Sequence, residues 1–136
     1  MTPDKIALLL TVLAAVVVVL TRVRLSSQSS AGRLSVSPMV AWVHTLAGTG
    51  AILLWSGMLI TGREDLGWLS LPLWWVTVFA GLLVLVRWLP ARGRHSADPV
   101  GDSWGEGPGL SILAHVGMLV GVLIFTFYLV FDKLPV

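Results

Sequence analysis

The sequence predicts an all-α protein: an integral membrane four-helix bundle of up-down topology, with both termini on the same, extracytoplasmic side. Three observations carry this. Hydrophobic residues make up 56% of the 136 residues and charged residues only 12%, where a soluble domain has roughly 25% charged. Four apolar stretches, at about 4–21, 38–61, 72–89 and 109–131, each come close to the roughly 20 residues a helix needs to cross the hydrocarbon core. Each stretch also opens at or just behind a proline: Pro3, Pro38, Pro72 and Pro108. Proline is favoured at the first helical position, where its missing N–H costs nothing.

The first stretch is short and N-terminal, as a signal peptide would be. It has one early lysine, Lys5, and ends in Thr-Arg-Val-Arg rather than at a small-residue cleavage site, so it is expected to stay as a span. Arg22 and Arg24 can reach from its end to the interface. The second begins at Pro38 behind Ser37, a residue type suited to capping. The third runs from Pro72 to the stop at Pro90, with Arg87 near its end, and the fourth begins at Pro108. The connections, 22–37, 62–71 and 90–107, are rich in serine, glycine and charge, and none can bury a core of its own. The chain therefore reads as a single transmembrane domain, 1–136.

Orientation follows from the cations near the span ends. Arg22, Arg24, Arg33, Arg87, Arg92 and Arg94 fall on one side, against Lys5, Arg63 and Lys133 on the other. This places the first and third loops in the cytoplasm of a bacterial cell and both termini outside its membrane. Of the seven tryptophans, Trp68, Trp74, Trp75, Trp88 and Trp104 are expected at the interfaces, and Trp42 and Trp55 deeper.

Several functions are disfavoured. A net charge of +2 is too small to argue for nucleic acid. The absence of cysteine removes thiolate metal sites and disulfides. No carboxylate falls mid-span, which speaks against a proton relay or cation path. No serine has the partners a hydrolase needs. Independent catalytic activity is not expected.

The chemistry-bearing residues are two histidines. His95 lies in the charged third loop, but His44 and His115 lie inside spans, where ionisable groups are rare and usually functional. His44 follows Pro38 by six residues and His115 follows Pro108 by seven, so both sit about 9–11 Å into helices predicted to be parallel and diagonal. Facing helices of a bundle core are where cofactors are held. Two imidazoles can bind one haem iron axially, or a small metal ion with other ligands. Gly48 and Ala51, on the His44 face, leave room for a planar ring, and Ser111, Met118 and Val122 share the His115 face. Arg87 and Arg92 are the expected partners for haem propionates, with Ser111 and Thr45 as polar neighbours. The other reading makes each histidine an interhelical hydrogen-bond glue.

His44 within HTLAGTG and His115 within AHVGMLVG give the chain a loose resemblance to small four-helix membrane b-type cytochromes and haem-bearing membrane anchor subunits. That resemblance implies haem b between two helices and electron transfer. SPMVAWVHTLAGTG also resembles the opening of a succinate dehydrogenase anchor helix. Thr45 stands where that stretch has arginine, so no quinone site is carried over.

Partners beyond the lipid bilayer are expected from small residues. Gly50 and Gly57 with Ala47 and Thr61 on the second span, and Gly117 with Gly121 on the fourth, let another helix approach closely. They are read either as outward faces for other membrane subunits or a second copy, or as packing against the first and third helices. An accessory subunit of a larger, respiratory-type membrane complex is the alternative function.

Overall fold

The computed structural model describes residues 1–30, 37–88 and 108–134. They form four helices, α1 (Pro3–Ser30), α2 (Pro38–Thr61), α3 (Glu64–Trp88) and α4 (Pro108–Val130). Each contains a segment long and apolar enough to cross a membrane: Pro3–Val23, Pro38–Thr61, Glu64–Leu83 and Ile112–Val130. Pro3, Pro38 and Pro108 each stand first in a helix, as their missing N–H favours. The fourth proline does not. Pro72 lies inside α3, which starts at Glu64.

The reason lies in the turn between α2 and α3. Gly62 takes the left-handed conformation (φ 70°) and its N–H bonds the Met58 carbonyl at 2.9 Å, closing α2. Glycine adopts this conformation without a Cβ penalty. Arg63 alone then separates it from α3, whose first turn carries Glu64 and Asp65, anions suited to a helix N-terminus. Arg63 grips Asp65 (Nη2–Oδ2 2.6 Å), and the Trp68 indole donates to Glu64 at 2.9 Å. These local bonds start the helix before the apolar run does. Pro72 is tolerated on an exposed position, where it cannot donate to the Trp68 carbonyl one turn back. Gly62→Ala should cost about 1 kcal/mol, because alanine must hold a positive φ; unfolding in detergent micelles would measure it.

The early start of α3 places Trp74 well inside the helix. Trp74, expected at the interface, is fully buried. Trp42, expected deeper, is about half exposed, and the Arg22 guanidinium lies 4.8 Å from its ring centroid. This cation–π contact ties α1 to the first turns of α2. Arg22 stands near the end of the apolar segment Pro3–Val23, and α1 remains helical through it and on to Ser30.

The centre of the bundle is aromatic. Trp55 of α2 stacks on Phe125 of α4 (centroids 4.3 Å apart, planes 26°), and Trp74 of α3 meets the same ring at 5.4 Å. Buried Met58, Val122 and Leu129 extend this core. Buried Thr11, Ser70 and Thr77 satisfy their hydroxyls on carbonyls of their own helices, at 2.7–2.8 Å, so they add little polarity. The indole N–H groups of Trp55 and Trp74 are buried without an acceptor among the described residues. A buried donor without a partner costs about 1–3 kcal/mol. Trp74→Phe removes that cost while opening a modest void. It should therefore leave stability within about 1 kcal/mol of the parent, far less than a buried tryptophan normally loses, and thermal unfolding in micelles would show it.

Glycines set the helix spacings. Along the α2–α3 hairpin, Gly67 packs on Met58, Gly57 on Leu66, Gly50 on Leu73 and Gly48 on Thr77, an antiparallel register running back from the Gly62 turn. Gly50 and Gly57 therefore serve the seam with α3, where a Cβ on either would stand 3.2 Å from a leucine methyl. Of the two sequence readings for this pair, packing against the third helix is the one these contacts match, rather than an outward docking face. On α4 the pair divides. Gly121 is buried, with Leu10 of α1 the nearest foreign side chain at 4.0 Å, while Gly117 is exposed with open space beside it.

Candidate functional site

His44 and His115 meet. Their rings come from α2 and α4, which share no close backbone approach among the described residues, and they bridge the bundle with centroids 6.4 Å apart and planes tilted by 43°. Both are buried, at 3% and 6% exposure. The position of each on its helix explains the meeting. His44 lies on the α2 face that carries buried Gly48, Ala51, Trp55 and Met58. His115 lies on the α4 face that carries buried Met118, Val122, Phe125 and Leu129. Both faces have the three-to-four-residue spacing of one helical stripe, so the stripes that build the aromatic core deliver the histidines to the same end of it.

The third member of the site is Gly81 of α3. A Cβ at this position would lie 2.8 Å from Cδ2 and 3.1 Å from Nε2 of His115, and 3.2 Å from Nε2 of His44. Real Cβ atoms essentially never make the first of these contacts, so glycine is what allows both rings to lie against α3. The two Nε2 atoms are thereby gathered around one point. Sequence reasoning passed over Gly81. Its only signal was a lone glycine in an apolar helix, at the level where the antiparallel register of α2 and α3 places His44.

Other expected participants stand elsewhere. Gly48 is buried, but a Cβ there would meet Val18 of α1 at 3.0 Å and Thr77 of α3 at 3.2 Å. The room expected beside it is thus occupied by those two side chains. Thr45 donates its hydroxyl to the Ala41 carbonyl at 2.9 Å. The side chains of Arg87 and Ser111 lie outside the described set, as do Arg92 and His95 altogether.

Two neutral imidazoles could serve as two ligands of a metal, with a constraint on its size. Among the described residues no group of three or more His, Cys, Asp or Glu side chains comes together. A haem brings four equatorial nitrogens and asks the protein for two axial ligands, which this pair can supply. A haem held by both Nε2 atoms would need the space between the two rings. The Cβ position of Gly81 lies 3.1 and 3.2 Å from those nitrogens, so the α3 backbone stands close against that space. The imidazoles fit a haem as ligands, but the packing as it stands does not seat a porphyrin between them.

No protein-family model, curated protein or solved structure matches the chain. The site is therefore read from its own geometry.

Proposed function

We propose that this chain is a small integral subunit of a bacterial cytoplasmic membrane. Its four helices form an up-and-down bundle with both termini outside, and its working part is the His44–His115 pair, used as a two-imidazole ligand set for one redox metal. Electron transfer is the role that follows, within a larger respiratory-type assembly. The observation that carries the reading is the meeting of two buried imidazoles from diagonal helices, both Nε2 atoms within 3.2 Å of a single point against Gly81. Intramembrane histidines are costly and tend to mark function.

Haem b is the occupant that the b-type cytochrome resemblance implies, and it requires α3 to stand further out at Gly81 than it does here. The chain's own contributions are the two nitrogens, their burial and a glycine that leaves the least to displace. The test is the oxidised and reduced absorption spectrum of the detergent-purified protein, produced with haem supplied. A sharp reduced α-band, absent from His44→Ala and His115→Ala, is the expected result for haem. Retention of that band in the double variant would exclude the pair as its ligands.

The close packing of Gly81 on both rings favours a second reading, in which the pair holds α2, α3 and α4 together in an accessory subunit without a cofactor. That reading expects a preparation free of both metal and haem. It also expects each histidine variant to lose stability and nothing else.

A further inference from the structure

We propose that the closed His44–His115 pair is a site for one monovalent soft cation, Cu(I), held by the two Nε2 atoms. The proposal rests on the reading of the pair as a metal-ligand set, and it names the occupant that the present packing admits.

Three observations point to this class of ion. The first is size. Gly81 puts no Cβ against the rings, and the two Nε2 atoms lie 3.1 and 3.2 Å from the position its Cβ would take, so α3 stands close beside the pair, which favours a bare ion over a macrocycle. The second is ligand count. No third His, Cys, Asp or Glu joins the pair among the described residues. Zinc seeks four protein or water ligands and calcium more, all oxygen, whereas a filled-shell monovalent copper ion is satisfied by two nitrogen donors in line. Imidazole and thioether donors suit copper, and the buried thioether of Met118 lies one turn from His115 on the same face.

The third is charge. The acidic residues among the described ones, Asp4, Glu64, Asp65 and Asp132, lie at the opposite ends of their helices from the pair. Neutral imidazoles offer no compensating charge, and the cost of an uncompensated ion in an apolar core rises steeply with its charge. A divalent ion would keep its full charge beside Gly81 in this buried surround. A monovalent one carries the smallest charge a metal ion can have. Binding requires both imidazoles to be neutral, with Nε2 as the donor and the proton on Nδ1.

The test is an anaerobic competition for Cu(I) between the full-length protein in detergent and a chromophoric Cu(I) chelator. One Cu(I) per chain is expected, with His44→Ala and His115→Ala each weakening retention by about 100-fold or more, a larger effect than loss of an outer-shell group. Zn(II) at the same concentration should not be held. X-ray absorption at the copper edge of the parent protein should show two nitrogen neighbours in near-linear arrangement, a readout independent of whether any variant folds. The proposal is overturned if the parent competes no better than the double variant, if Zn(II) binds as well as Cu(I), or if the copper shows four ligands. A parent protein isolated with haem on the two histidines would overturn the Cu(I) assignment and leave the ligand-pair reading standing. A protein that takes neither haem nor Cu(I) would end both.

Discussion

Replacing Gly81 by alanine is expected to separate the two histidines. The new Cβ would be placed 2.8 Å from the His115 ring and 3.2 Å from His44 Nε2. Neither ring can yield easily, since each is buried and packed on its own helix. Overpacking of this kind costs about 1–3 kcal/mol, and the bundle must absorb it by moving α3 outward or turning the rings apart. A ligand pair loses its geometry either way. Metal retention by Gly81→Ala should therefore fall far more than its stability does, because ligation depends on two nitrogens sharing one point while the aromatic core lies elsewhere on α3. A cofactor-free structural pair predicts the reverse, a loss of stability and no other measurable change. Unfolding in micelles, run beside a metal-binding assay on the same samples, separates the two.

The largest purely structural effect is expected at Phe125. This ring is 1% exposed, stacks on Trp55 and meets Trp74, so it joins α2, α3 and α4 at the centre of the bundle. Phe125→Ala should destabilise the protein by about 3–5 kcal/mol, the range for truncating a buried aromatic side chain. Aromatic pairing adds to what burial alone would give. In a lipid environment the loss is chiefly one of packing contacts, because the surrounding acyl chains are as apolar as the core. Phe127→Ala on the same helix is the control. Phe127 is about half exposed, so its removal should cost well under 1 kcal/mol, as surface changes do. Similar losses at both positions would mean that the core does not lie where the Trp55–Phe125 stack puts it.

The four helices were legible because each signal was carried twice, by an apolar run and by a proline. The start of α3 is the exception. Residues 64–71 mix Glu64, Asp65 and Gly67 with leucines, so hydropathy did not join them to the span, and Pro72 looked like a start. What makes them helical is the left-handed Gly62 and the local bonds of Arg63 and Glu64, none of which leaves a hydropathy trace. The consequence was the misplacement of Trp74, an interfacial anchor by the shorter span and a core residue by the longer one.

The histidine pair was legible for a related reason. Depth can be counted from a helix start, and Pro38 and Pro108 are true starts, so the equal depth of His44 and His115 survived into the structure. Rotation cannot be counted in that way. A membrane helix that is apolar all round shows no polar face to fix which side points inward. Gly50 and Gly57 could therefore be read either as an outward surface or as packing against neighbouring helices, and they line the α2–α3 seam. The third component of the site, Gly81, went unnoticed for the same reason. It carries no chemistry, and its importance comes from the two rings that reach it from other helices.

The most direct measurement of the central claim is the metal content of the full-length protein. It would be purified from membranes supplied with copper, iron and haem, and set beside His44→Ala and His115→Ala purified identically. Close to one metal per chain is expected in the parent, as haem iron or as copper, and almost none in either variant. A metal-free parent, or metal retained in both variants, would contradict it.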